Sequence, residues 1–311
     1  MDNDKIFVGI AAYNEIDLIQ TINSCLDNSV DPSKIYFGVW AHYNKISLPN
    51  LDIPNVKYIY CNYPRLLGVC SGRINAMSLY SGEKYYLQID AHMLFEKDWD
   101  LKVVSAYEKI KKDWPKPLIT TYVPWWSRNE DGSINFYSPD SEAKTGPMEY
   151  DLSILNEGYP KQKTFGVDWS QFDYFEHCGF SAHFAFSSAD FMHDVLPDPL
   201  FAFGGEEPTT ALRAWSQGYK MFAIPNPIAW HKNKFHGVNH EFDRLNYVGE
   251  PNISNEYHIK DFLGQKRSID ILTGRILGYW GASSLESLKS YQFFAKTDFS
   301  QFVERNSNVR V

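Results

Sequence analysis

Tyr85-Tyr86-Leu87-Gln88-Ile89 is a short, mostly apolar run that stops abruptly on Asp90-Ala91-His92. Its length and content suit a strand of a parallel sheet, where both faces are covered and strict alternation is lost. A similar run opens the chain: Ile6-Phe7-Val8-Gly9-Ile10-Ala11 reads as a first strand. After it Asn14 reads as a helix N-cap with Asp17 at the third helical position, and Ile16, Ile19, Ile22 and Leu26 follow at helical spacing. Ile35 to Trp40 and Val56 to Tyr60 read as the second and third strands, with a helix from about Val69 to Tyr80 before the fourth. This alternation predicts an α/β fold, a Rossmann-like, doubly wound and mostly parallel sheet with ligands outside the carboxyl ends of its strands. Tyr13-Asn14-Glu15 and Asp90-Ala91-His92 both fall at such ends.

The alternation fades from about Pro124 to Cys178, where Trp125, Trp126, Tyr137, Tyr150, Trp169, Phe172, Tyr174 and Phe175 crowd a stretch containing Gly, Pro and Ser. These rings either pack irregular strands or form an aromatic platform for an acceptor. Regular signals return with a helix from Pro208 to Gln217, which has proline in its first turn and Gly218 just past its end. A strand, Lys220 to Ile224, follows and is stopped by Pro225. The last part of the chain reads as a helical cap on the same domain.

The 311 residues are enough to bury a full core, and a hydrophobic content of 44% argues against disorder. A formal net charge of −8 gives no general attraction to DNA or to an anionic membrane, so any bound phosphate requires a local device. The four cysteines form no CxxC pair, which fits a reducing compartment. The N-terminus is polar and acidic, and no stretch reaches the roughly 18 apolar residues of a membrane span. The expectation is a soluble, cytoplasmic protein with no membrane partner. Nothing in the pattern specifies an oligomer.

Asp90 and His92 are two apart at a strand end, so on a persisting strand their side chains share a face and can share one cation. A carboxylate with an imidazole suits a borderline first-row ion such as Mn²⁺ better than an all-oxygen site would, with Mg²⁺ as the second choice. Such an ion would explain how an acidic protein holds a diphosphate. His231, after Ile228-Ala229-Trp230, is a candidate third ligand, and His236 and His240 are alternatives in a more polar region. Phe203-Gly204-Gly205-Glu206-Glu207-Pro208 sets two glycines and two carboxylates before a helix. That pattern is either a close-approach ligand site or a capped helix start.

Taken together, these segments resemble the polypeptide N-acetylglucosaminyltransferase family, which modifies hydroxyl-bearing protein side chains, and more distantly the mucin-type polypeptide N-acetylgalactosaminyltransferases. The resemblance is carried by Ala12-Tyr13-Asn14-Glu15, by Gly72-Arg73, and by Tyr85 to Met93 with Trp99-Asp100 behind it. It continues through Phe203-Gly204-Gly205-Glu206-Glu207 and Trp230-His231 to Ser284-Leu285-Glu286 and Thr297-Asp298-Phe299. It implies one GT-A glycosyltransferase domain over 1–311, with a nucleotide-binding half (1–123), an acceptor and sugar half (124–240) and a C-terminal cap (241–311). It further implies a UDP-sugar donor, a hydroxyl acceptor on protein, glycan or modified nucleic acid, and retention of anomeric configuration.

By the same resemblance Asp90, His92 and His231 hold the metal. Ala12, Tyr13, Glu15 and Trp40, with the segment to His42, line the nucleotide pocket, which Asp90 also borders. Arg73 sits on the diphosphate side, and Glu206 and Glu207 orient hydroxyls while the leaving phosphate takes the acceptor proton. Of the two, Glu206 is preferred as the one facing Asp90, because Glu207 abuts Pro208 and reads as the helix cap. Ala91 stands where a serine is usual. Two other readings compete: a viral-type glycosyltransferase acting on hydroxylated DNA bases, and a catalytically silent nucleotide-sugar-binding module.

Overall fold

The computed structural model describes residues 4–64, 67–137, 146–151, 159–225, 228–232 and 251–302. Strand β1 (Ile6–Tyr13) is buried along almost its whole length and lies between two parallel neighbours, β2 (Ile35–His42) and β4 (Tyr85–Ile89). Beyond β2 lies β3 (Val56–Cys61), also parallel. The crossovers are helical: α1 (Leu18–Asp27), α2 (Val69–Met77) and, after β4 and the short β5 (Met93–Phe95), α3 (Trp99–Lys111).

The other side of the sheet uses β6 (Pro117–Thr120), β11 (Phe175–His177), β12 (Phe184–Ser188) and β13 (Lys220–Ala223). The eight strands run in the order β11-β13-β6-β12-β4-β1-β2-β3. β12 is antiparallel to both β4 and β6, β13 is parallel to β6, and β11 is antiparallel to β13. The sheet is thus mostly parallel, as the apolar runs predict.

Alternation along β1 divides the interior into two cores. Ile6, Val8, Ile10 and Ala12 face one core with Leu18 and Ile22 of α1 and Trp99, Val103 and Tyr107 of α3. Phe7 faces the other, together with Cys70 and Met77 of α2. That second core is completed by α5 (Glu206–Ser216), α6 (Pro251–Leu272) and α7 (Leu285–Phe294), while α4 (Asp190–Asp194) lies after β12. Gly38 lets α2 approach β2: a Cβ there would lie 2.4 Å from the Phe7 ring and 2.5 Å from the Ala76 carbonyl oxygen. Among the described residues no helix is long and apolar enough to cross a membrane.

A second sheet decides the site. It has the order β5-β14-β7-β8, with β7 (Trp125–Arg128), β8 (Ile134–Phe136) and β14 (Ala229–Lys232). β14 is antiparallel to β5, with His231 opposite Met93, and parallel to β7. A small hairpin of β9 (Met148–Tyr150) and β10 (Gln162–Thr164) stands apart.

The structure corrects one local expectation. Asn14 is not a helix cap; it sits in the left-handed region at φ 46°, which Asn tolerates better than most residues. Its side-chain oxygen accepts the Asn44 and Lys45 N–H groups, each at 3.0 Å, and so braces the ends of β1 and β2. α1 starts at Leu18, with Asp17 at the N-cap position. α5 likewise starts at Glu206, two residues before the expected proline.

Candidate active site

At the carboxyl ends of β1, β2 and β4 lies a cavity of about 410 Å³. Ala12, Tyr13, Glu15, Trp40, Arg73 and Asp90 all line it, and so do His92, His231, Glu206 and Glu207. Every residue assigned to the metal, the nucleotide, the diphosphate or the hydroxyls is therefore brought to one place, and the alternative ligands His236 and His240 lie outside the described residues.

Asp90 leaves the end of β4 and His92 sits at the start of β5. Thr21 of α1 clamps this turn on both flanks of His92, donating from Oγ1 to the Ala91 carbonyl at 3.0 Å and accepting the Met93 N–H at 2.9 Å. The His92 carbonyl accepts the Trp126 indole N–H and the Lys232 backbone N–H, both at 3.1 Å. Its ring is set by Glu15, whose Oε2 lies 2.8 Å from His92 Nδ1. With the proton on Nδ1, the Nε2 lone pair faces the cavity.

His231 enters from β14. The His92 and His231 Nε2 atoms are 3.0 Å apart, and Asp90 Oδ2 lies 3.2 Å from the second and 3.9 Å from the first. The point equidistant from these three atoms lies about 2.0 Å from each, the length of a metal–nitrogen or metal–oxygen bond. Among the described residues these three form the one cluster of His, Cys, Asp or Glu able to hold a metal. Burial pushes the Asp90 carboxyl up, but the hydrogen bond and charge of His231, with His92 and Arg73, outweigh it and hold the group well below the usual carboxylate range. Two imidazoles and an ionised carboxylate fit a first-row divalent cation.

Arg73 is buried, and its Nη1 lies 2.6 Å from both oxygens of Glu206, with Nη2 3.6 Å from Asp90 Oδ1. Burial disfavours its charge, but the Glu206 and Asp90 carboxylates more than offset this. The guanidinium therefore bridges the Asp90 carboxylate and the Gly-Gly-Glu segment. Glu207 does not cap α5; its Oε1 accepts the Ala182 N–H at 2.9 Å. Burial and the neighbouring Glu206 charge push its carboxyl up to about 7.

Of the aromatic residues named between Pro124 and Cys178, none lines the cavity. Trp126 and Tyr150 are buried, and Phe172 packs edge-on against Phe175. The aromatic walls are instead Tyr122, Tyr159 and the exposed Phe203, with Tyr257 from α6. His183 also lines the cavity, its ring 4.8 Å from that of His231, and burial with the His231 charge holds it well below the usual imidazole range. No periodicity marks these residues, since all but Tyr257 stand on loops.

A mostly parallel sheet whose central strand hands an Asp-x-His pair to a cavity at its carboxyl edge is the architecture of a GT-A glycosyltransferase. The sequence model of the family described as Glycosyltransferase (GlcNAc) matches residues 47–298, and the chain belongs to that family. No curated protein matches the chain in sequence. Among solved structures, GalNAc-T7 with UDP, GalNAc and Mn²⁺ is similar at 15% identity and a TM-score of 0.55, over 97% of this chain. The chain spans 57% of that protein's length. S. aureus TarS is similar at 15% identity and a TM-score of 0.46, over 96% of this chain and 49% of TarS. A TarS 1–349 complex with UDP-GlcNAc is similar at 13% identity and a TM-score of 0.45, over 96% of this chain and 81% of that one.

Proposed function

We propose that this glycosyltransferase moves a sugar from a UDP-sugar to a hydroxyl group, first of all on a protein side chain, with retention of anomeric configuration. One divalent cation, Mn²⁺ ahead of Mg²⁺, is held by Asp90, His92 and His231. The observation that carries this reading is the triad, three ligand atoms 3.0, 3.2 and 3.9 Å from one another on the cavity wall. The fold shared with GalNAc-T7, solved with UDP, GalNAc and Mn²⁺, supports it. The ordered motifs shared with polypeptide N-acetylglucosaminyltransferases support the protein acceptor. Four free cysteines, three of them buried, support a reducing, cytoplasmic setting.

The bound cation supplies charge neutralisation for the diphosphate leaving group. The rest is done by the chain. Tyr13 and Trp40, at the ends of β1 and β2, wall the nucleotide side. Arg73 holds Glu206 in place through both of its oxygens, so that this carboxylate is set to accept from sugar hydroxyls. Glu207, near neutrality, exchanges hydrogen bonds with a hydroxyl as donor or acceptor. The acceptor proton goes to the departing phosphate, and neither carboxylate is required as a base.

The test is mass spectrometry of products from a panel of UDP-sugars with a hydroxyl-bearing peptide, in Mn²⁺ and in chelator, with NMR of the new anomeric linkage. A Mn²⁺-dependent product of the donor's own anomeric configuration is expected. An inverted product would assign a base role to Glu206 or Glu207. Transfer undiminished in chelator would remove the metal.

A further inference from the structure

The two histidines of the triad come from different elements, and their Nε2 atoms stand 3.0 Å apart. Because the two rings stand on separate elements, that spacing needs support from the structure behind them. The back of the site supplies a continuous chain of contacts. Glu15 Oε2 holds His92 Nδ1, and Glu15 Oε1 accepts the Asp17 N–H at 3.1 Å. Asp17 Oδ2 lies 2.6 Å from Lys232 Nζ, with both side chains below a tenth exposed. Lys232 directly follows His231, and its backbone N–H donates to the His92 carbonyl at 3.1 Å.

We propose that the buried Asp17–Lys232 ion pair, acting through Glu15, is a positioning strut that sets the separation of His92 and His231 for one divalent cation; this rests on the metal reading above. Asp17 and Lys232 touch neither the cavity nor the ligand atoms, and they join the entry of α1 to β14 across the molecule. A buried pair of this kind adds little net stability over apolar side chains of similar volume. What it fixes is geometry. Glu15, both of whose oxygens are engaged in this chain of contacts, is then the carboxylate that orients a metal-binding imidazole rather than a nucleotide ligand. Partners of this sort change metal affinity by about 10- to 100-fold when removed.

The measurement is Mn²⁺ titration of the metal-free full chain with UDP present, free Mn²⁺ being read by electron paramagnetic resonance. Lys232→Met removes the ammonium, which stands 6.0 Å from the centre of the Trp126 ring, and leaves Asp17 its second partner, Arg128, at 3.2 Å. The double variant Asp17→Leu with Lys232→Met removes both charges, so that neither is left buried and unpaired and the fold is retained. Both are expected to raise the Mn²⁺ dissociation constant about 10- to 100-fold, with the melting temperature of the double variant in chelator close to wild type. Lys232→Arg, which keeps the charge, is expected to recover most of the affinity. Wild-type Mn²⁺ affinity in the double variant would overturn the strut, and so would an affinity loss in Lys232→Arg as large as in Lys232→Met. Asp90→Ala in the same titration separates the two ideas. If it binds Mn²⁺ normally, or if wild type binds none, the metal reading itself fails.

Discussion

Glu207 is held at about 7 by burial and by the adjacent Glu206 charge, whereas in an unfolded chain the same carboxyl titrates near ~4.3. The folded state therefore binds the extra proton between these values. The stability it confers is fully present below the lower value and is lost as pH rises through the upper one. Glu207→Gln removes that loss. Urea unfolding is expected to find the variant about 2 kcal/mol more stable than wild type at pH 8.5, allowing for water in the cavity, with the gap closing towards pH 5. A pH-independent gap would contradict the burial of this group. Arg73→Ala has the opposite sign: it strands the Glu206 carboxylate and is expected to cost about 3 kcal/mol of unfolding free energy. Sequence alone brought Arg73 and Glu15 to the site but not to their partners. Glu206 is 133 positions from Arg73 and His92 is 77 from Glu15, and no local spacing encodes such pairs.

Helix α1 and the β4–β5 turn meet through one hydroxyl. Thr21→Val keeps the shape of the side chain but leaves the buried Met93 N–H without its acceptor, at a cost of about 1–3 kcal/mol. Because that N–H adjoins His92, weaker Mn²⁺ binding is expected beside the lower unfolding midpoint; calorimetric titration and thermal melting check the two separately. Five strands of the large sheet, β1 to β4 and β13, were legible within a residue or two, because burial on both faces writes continuous apolar runs such as 6–13, 35–42 and 85–89, whereas β6, β11 and β12 were not read. Nor was the second sheet. β5, β7, β8 and β14 have three or four residues each, too few for a period of two to stand out from noise. Yet β14 is the element that returns His231 to His92. Asn14 misled for a related reason: the residue type serves both helix caps and left-handed turns, and only the Asn44 and Lys45 amides reveal which.

Across the whole molecule, two cores lie on opposite faces of the large sheet, with α1 and α3 on one face and α2, α5, α6 and α7 on the other. The expected helical cap is present as α6 and α7, and it reaches the site directly: Asp261 of α6 accepts the Gly204 N–H at 2.7 Å, beside the two glutamates. The fold and the Asp-x-His pair were written in strand ends, while the aromatic wall of the cavity, built from Tyr122, Tyr159, Phe203 and Tyr257, is drawn from loops and the body of α6 with no pattern to read. The claim on which all else depends is one cation among Asp90, His92 and His231. Crystals of the full chain grown with Mn²⁺ and UDP test it by anomalous scattering at the manganese edge. A single strong peak about 2.0–2.3 Å from Asp90 Oδ2, His92 Nε2 and His231 Nε2 is expected, and a peak ligated instead by His236, or none at this triad, would contradict it.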